Sequence, residues 1–427
     1  MKQNAVFART WYEDTAIAPP DFGQVALDDC AWDVGIIGGG LAGLTALLKL
    51  SQAGARVVLL EARSIAAGAS GRNGGFCTGG WAADDAQILR LLGGKGAAAM
   101  EEIAEGGLLW MKERMHRTGW ESTAATPGVL RVSLSGHGAP GDLDAQALAA
   151  FVKAPRYRHG AVSYEGVHFH PLNFMRLLAR EALEAGGQII EQAHVRGAFR
   201  TSRGWHIETS RGVCRAQQVI WAGGGYGEGD APMLTSRILP IRTYIGVTEP
   251  LGEMVLRHIP TECAIGDTRR AGNYYRRLPD GRLLWGMGIT AFGTLSIPKV
   301  KAMVLRDIAA ILPGLADEMR SAGRGIDYGW AGNMAYAPHF LPLVGEIRPG
   351  FHALTGFGGH GMNTAPAAAL SLVSQMQGNL GDPTPFSQIP RPPVFGILGR
   401  IAAEGSYRWR ILQDFRAEKV SQSHQGQ

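Results

Sequence analysis

Gly38, Gly40 and Gly43, followed by a lone acid at Glu61, are the residues of this chain whose types and spacing most plainly suit a ligand. They stand in the run DVGIIGGGLAGLTALLKLSQAGARVVLLEA, residues 33–62. The first glycine permits a sharp turn, the second lets backbone approach a pyrophosphate, and the third lets a helix lie close on a sheet. A helix start offers unpaired N–H groups and a partial positive charge to phosphate, and the acid can accept hydrogen bonds from a ribose diol. The chemistry is dinucleotide binding. An acid at that place disfavours a ribose phosphate, which leaves NAD or FAD. The chain has no second G-x-G-x-x-G with an acid behind it, so a single tightly held FAD fits better than soluble NAD.

The elements that must position these residues follow from periodicity. Val34, Ile36 and Ile37 read as a buried strand, Leu44, Leu47, Leu48 and Leu50 as a helix, and Val57 to Leu60 as a second strand. GASGRNGGF, residues 68–76, is too rich in Gly and Ser for regular structure, and residues 84–118 are helical by pattern. GVLRVSL reads as a strand, and HPLNFMRLLAREALEAGGQIIEQAHV as a helix closed by Gly186 and Gly187 and then a strand. A hairpin leads to a buried strand ending at Gly223. From Pro240 to about Trp330 the pattern turns to aromatic-rich strands, a second and mainly antiparallel sheet. FHALTGFGGHGMNTAPAAALSLVSQMQ returns to strand, glycine loop and helix, with the helix starting near Thr364 to Pro366. Residues 1–31 read as an arm over the surface.

Composition narrows the class. The length of 427 residues suits two domains, and 45% hydrophobic with 19% charged residues is ordinary for a globular protein. The net charge of +5 comes from scattered Lys and Arg, a solvated surface and not a nucleic-acid patch. Four cysteines, Cys30, Cys77, Cys214 and Cys263, form no C-x-x-C pair. They imply neither zinc nor a disulfide framework. The first twenty residues lack the apolar core of an export signal, so a cytoplasmic location is expected. Residues 351–376 carry no Asp, Glu, Lys or Arg, but their Gly, Asn and Pro suit a buried loop and helix better than a membrane span. His168 and His170 share a face if VHFHP is extended. No third ligand is evident, and no metal is expected.

GGGLAGL near the start, GASGRNGG some way on, TEPL at the entry to the aromatic sheet and GFGGHGMN near the end carry a family resemblance. The chain resembles the FAD-dependent amino acid and amine oxidases of the D-amino-acid oxidase superfamily. Within that superfamily WYEDTA, GASGRNGG, DYGWAGNMAYAPHFLPLVG and GGHG look most like gamma-glutamylputrescine oxidoreductases. The resemblance implies an α/β plus antiparallel-β architecture, a Rossmann-type FAD-binding domain of the glutathione reductase-like kind with a discontinuous substrate domain. The expected division is an arm (1–31), an FAD-binding domain (32–90, 150–238 and 325–390), a substrate domain (91–149 and 239–324) and a C-terminal extension (391–427).

It further implies that Gly38, Gly40, Leu41, Ala42, Gly43, Glu61, Ala62 and Arg63 hold the ADP half of noncovalent FAD, with Val195 at the adenine through its backbone. Ala69, Ser70, Arg72, Asn73, Gly74 and Gly75 would run along the pyrophosphate and flavin. Ala222 and Gly223 would border the cofactor. Gly358, Gly359, His360, Gly361 and Met362 would bring a helix start to the pyrimidine edge of the flavin, where positive potential favours the reduced anion. His360 is either an acid or base or a residue that holds the loop. Tyr274, Tyr275, Trp285, Tyr328 and Trp330 form either an aromatic wall that grips a cationic amine or core packing. His360, Trp330 and Tyr275 are the catalytic candidates.

The function so implied is oxidation of an amine to an imine that hydrolyses to an aldehyde, with a small-molecule amine as substrate and oxygen or another acceptor taking the electrons. The alternatives are a glycine- or sarcosine-type oxidase, which a carboxylate-binding Arg276 or Arg242 would favour, and a flavin-bearing subunit without turnover. Oxygen-using relatives place a lysine beside the flavin. The stretch from Ile241 to Thr290 contains none, so an acceptor other than oxygen is expected to serve better.

Overall fold

The computed structural model describes residues 5–423 except 24–26, 28–30, 137–138, 140–141, 228–229, 270–271 and 379–383, with side chains up to 418. Cys30 and parts of the arm and of the C-terminal extension lie outside the described residues.

Two sheets organise the chain. The first has Ala31–Ile37 at its centre, between Val57–Leu60 on one side and Gly212–Trp221 on the other, all parallel. Gln188–Ile190 and Phe351–Thr355 extend the two sides in the same direction, and Leu343–Arg348 closes one edge antiparallel. Strands buried on both faces need unbroken apolar runs, and Val57–Leu60 is buried at every position. The helix Leu41–Gln52 covers one face, its leucines packed with those of the helix Pro171–Glu184.

The second sheet runs Ile326–Tyr336, Leu239–Thr248, Leu283–Thr290, Tyr274–Arg277, Ala264–Asp267, Thr126–Ser133, His159–His168 and Phe76–Cys77. Its neighbours are antiparallel apart from Ala264–Asp267 beside Thr126–Ser133. Strands of the segments 150–238 and 325–390 thus join this sheet at 159–168 and 326–336.

Several elements differ from the sequence expectation. The stretch 239–330 is not all strand. Ile297–Ile311 and Pro313–Ser321 are helices that back the sheet, with Val300, Val304, Ile308 and Ile311 buried at helical spacing. GASGRNGG contains a helical turn, Ala69–Arg72. The strand expected to reach Gly223 stops at Trp221. The last glycine-loop helix begins at Gly361, ahead of 364–366, and accommodates Pro366 in its interior, giving up the bond that residue would make to Met362 C=O. The arm is only partly at the surface: Glu13, Asp14, Ala18, Pro19 and Asp21 are exposed, while Trp11 and Tyr12 are not. Trp11–Thr15 is a helix with a Thr10–Glu13 capping box, and Trp11 and Tyr12 are buried because large aromatic rings gain most by leaving water. The helix expected over 84–118 spans Asp85–Met115 with a kink at Gly93, where φ is +67°.

Candidate functional site

Strand and helix meet at Gly38, where φ is +110° and a Cβ would stand 2.7 Å from Ala222 O. A Cβ on Gly43 would stand 2.1 Å from Gly38 O, so the first turn of the helix rests directly on the loop. Gly39 N–H donates to Glu61 Oε2 at 2.7 Å, and Arg63 N–H to Oε1 at 2.9 Å. Burial is the larger influence on Glu61 and raises its pKa, against those two bonds. Each carboxylate oxygen still has a free lone-pair direction. Ala193 N–H donates to Glu61 O, which draws the segment leading to Val195 beside this end of the sheet. Ala62 is exposed, and the Arg63 guanidinium covers the ring of Phe7 at 3.6 Å.

Ser70 ties the second loop to the first. Its Oγ accepts from Leu41 N–H at 2.9 Å, and Leu44 N–H is taken by Gly40 O. Helix geometry leaves the amides of Ala42 and Gly43 without an intrahelical acceptor. Asn73 Nδ2 donates to Ser70 O at 2.8 Å, and its Oδ1 accepts from Gly75 N–H at 2.7 Å. Arg72 is 6% exposed. One terminal nitrogen donates to Ala8 O, another lies 3.9 Å from Glu13, and Nε is buried with no partner. Burial lowers its pKa. A buried guanidinium with an unused donor, and helix-start amides without an intrahelical acceptor, are groups suited to an anion.

The third loop closes over the second. Gly358 and Gly359 have φ of +61° and +79°, and a Cβ on Gly359 would meet Met334 Sδ at 2.7 Å. His360 precedes the helix Gly361–Met376 and donates from Nε2 to Gly79 O at 2.9 Å. Burial lowers its pKa, which keeps the ring neutral and suited to that bond. Its position favours holding the loop over proton transfer. Met362 Sδ receives Asn73 Nδ2 at 3.6 Å.

The catalytic candidates separate. Trp330 is fully buried, donates from Nε1 to Arg72 O at 2.9 Å and meets Tyr12 edge-on. It supports the second loop. Tyr275 does not reach the site. It stacks on Trp285 with ring centroids 4.2 Å apart, shares a hydrogen bond with Tyr157 at 2.9 Å, and packs with Val300 and Val304 on the opposite face of the sheet. Alternation along Tyr274–Arg277 is the reason: Tyr274 and Arg276 face the glycine loops. Tyr274 lies against Gly74 and edge-on to Phe76. Arg276, the possible carboxylate clamp, is 3% exposed and donates to Gly74 O and Phe169 O, both at 2.8 Å. Arg242 donates from Nε to Asn333 Oδ1 at 3.0 Å. Tyr328 bonds Asp14 Oδ2 at 2.7 Å.

His168 and His170 also have other partners. His168 Nε2 donates to Glu262 O at 2.8 Å, and His170 Nδ1 accepts from Asn173 N–H at 3.1 Å as a helix cap. Sequence reasoning missed Tyr12, whose hydroxyl donates to Asn73 O at 2.8 Å, and Tyr226, whose ring lies on Gly68 while its hydroxyl accepts from Asn333 N–H at 2.9 Å. The aromatic pair in WYEDTA was the available signal for the first.

Comparison with known proteins decides the class. Residues 33–375 match the family described as FAD dependent oxidoreductase, DAO. The chain belongs to that family. It is 30% identical to the gamma-glutamylputrescine oxidoreductase of Escherichia coli (strain K12), over 85% of this chain and 88% of that one. It is 27% identical to a glycine oxidase of Pseudomonas aeruginosa, over 83% of this chain and 98% of that one. Among solved structures, glycine oxidase from Geobacillus kaustophilus superposes with a TM-score of 0.67 at 18% identity, covering 85% of this chain and 99% of that one. The DAO fold and its FAD therefore apply here, and the chain is an FAD-dependent oxidoreductase acting on amines or amino acids.

Proposed function

We propose that the substrate is a substituted amine of the gamma-glutamylputrescine kind, oxidised to an imine that hydrolyses to an aldehyde and ammonia. In this reading the amides at the start of Leu41–Gln52 and the Arg72 guanidinium hold the pyrophosphate, Glu61 takes the ribose, and the Val195 backbone borders the adenine. Ser70 and residues 73–75 run along the cofactor toward the flavin, Ala222 and Gly223 border it, and residues 358–362 close over the flavin. Bound there, FAD supplies the acceptor for the hydride leaving the amine carbon. The nitrogen loses a proton, and water adds to the imine to release the aldehyde. The chain's own share is to orient the amine and keep water out, with Tyr274, Met334 and Met362 as the apolar rim. Cys77 is fully buried and its thiol is pushed up to about 12 by that burial, which disfavours it as a covalent attachment point and supports noncovalent FAD.

The observation that carries this choice is Arg276. Its Nε and one terminal nitrogen already serve two backbone carbonyls and the Tyr12 hydroxyl, which leaves it little of the fork that the carboxylate of a small amino acid would need. Arg242 supports the second reading, a glycine- or sarcosine-type oxidase, because it is half-buried and Asn333 occupies only Nε. Anaerobic mixing with candidate amines tests both. Gamma-glutamylputrescine should bleach the flavin faster than glycine or sarcosine, and the reverse order gives the site to amino acids.

A further inference from the structure

The helix Ile397–Ser423 presents two unlike sides. One is bound to the protein. Tyr407 packs with Ile241 and Ala291. Glu404 accepts from Thr290 Oγ1 and from Ala291 N–H at 3.1 and 3.0 Å. Glu418 is buried and receives Arg156 Nε and Nη2 at 2.8 and 2.7 Å. Asp414, the remaining carboxylate among the described side chains of this helix, is half-buried.

At 3.6 residues per turn the opposite side carries Leu398, Ile401, Trp409 and Leu412. These are 67, 56, 55 and 43% exposed. Phe415, at 53%, lies at the margin of the same side. Arg408 and Arg416 are interleaved with them and exposed. The described carboxylates of this helix thus lie on the protein-facing side, together with Arg400 and the half-exposed Ile411, and none stands among Leu398, Ile401, Trp409, Leu412 and Arg416 on the outward side.

We propose that this outward side seats the enzyme on an anionic membrane surface. The helix would lie in the plane of the interface, its leucines and Trp409 in the headgroup boundary and its arginines on lipid phosphates. No described helix is long and apolar enough to cross a membrane, which matches a helix that lies on one. A second copy of the chain is the poorer occupant. Pairing through the same face would bury Arg416 of each copy on a side where the described helix offers it no carboxylate, since Glu404 is already taken by Arg408 at 3.2 Å, whereas lipid phosphates supply an anion for Arg416. The net charge of +5 works in the same direction. The proposal does not depend on which amine the enzyme oxidises.

Flotation of the full-length, FAD-loaded protein with vesicles is the test, with sedimentation in parallel to read its size. Vesicles of phosphatidylcholine with phosphatidylglycerol should carry at least ~10-fold more protein than pure phosphatidylcholine at low salt, and high salt should narrow that gap. The double variant Trp409→Glu, Leu412→Glu should stay unbound with its FAD content and flavin reduction unchanged. A second pair, Arg408→Glu with Arg416→Glu, should lose the preference for anionic lipid while keeping the apolar side chains. Wild type that fails to float on anionic vesicles at low salt, or either variant floating as well as wild type, overturns the proposal. A wild-type dimer that the Trp409→Glu, Leu412→Glu pair dissociates would instead give the face to a second copy.

Discussion

Gly43 is held against Gly38 O of its own turn, and Gly38 against Ala222 O, just past the neighbouring strand Gly212–Trp221; in both places backbone occupies the space a side chain would need. The loop of residues 68–75 is held quite differently. Tyr12 from the arm bonds Asn73 O, Arg276 from the second sheet bonds Gly74 O, Trp330 bonds Arg72 O, and Arg72 reaches back to Ala8 O. The first loop depends on the absence of side chains, the second on the presence of distant ones. Loss of the first should therefore be all-or-none, and loss of the second graded by how many ties are cut.

The sharpest way to break the first loop is Gly43→Val, which sets a branched side chain where a Cβ already stands 2.1 Å from Gly38 O. The helix must move away, so the purified protein should carry no FAD, read as the ratio of flavin to protein absorbance. Retention of FAD at wild-type level would show that the helix start does not hold it. Next in size is Arg276→Met. It removes the donor to two buried carbonyls and should cost about 3 kcal/mol or more, measured by denaturant unfolding, with Arg276→Lys recovering little because it lacks the fork. Full recovery by lysine would mean that charge alone matters there.

A pH effect of intermediate size falls on the arm. His170 packs against Trp11 and Tyr12, and burial lowers its pKa to about 3; burial does the same to His168. A histidine whose folded pKa lies below its unfolded value near 6.5 takes up its proton on unfolding. Stability should therefore be intact at neutral pH and fall as pH drops from about 6.5 toward 3. Melting temperature against pH checks this, and His170→Asn should flatten the slope while keeping a helix cap. The smallest effect is expected for Tyr12→Phe, which removes the hydroxyl that donates to Asn73 O and accepts from Arg276 at 3.3 Å and should cost ~1 kcal/mol with FAD retained. A Tyr12→Phe protein without FAD would place the arm on a level with the first loop.

Much of the cofactor-binding pattern was legible because it is local. Glycines that must admit a carbonyl at van der Waals contact leave a spacing that survives any change in the rest of the molecule. The aromatic residues were harder. Tyr274 and Tyr275 are adjacent, both faces of their strand are covered, and alternation alone does not say which face meets the loops. Their partners decide it: Tyr274 fits over Gly74, Tyr275 stacks on Trp285. Arg276 shows the same limit. Its type suited a carboxylate clamp, but the carbonyls that occupy it come from Gly74 and Phe169, far away in the chain. The helices Ile297–Ile311 and Pro313–Ser321 were a different miss, since Val300, Val304, Ile308 and Ile311 already carry helical spacing.

Taken residue by residue, the sequence determined the strand–turn–helix unit at Gly38–Gly43, the acid at Glu61 and the family. Each rests on a pattern of residue types that a short stretch preserves, even where the contact it serves, as at Gly38 and Ala222, is made far away in the chain. Tertiary structure decided that the arm is a structural strut, that Tyr275 faces away, that Arg276 is spent on backbone, and that the carboxylates of the last helix turn inward. These depend on which surfaces come together across the two sheets. Burial energy and hydrogen-bond satisfaction choose among such arrangements only once the whole chain has folded.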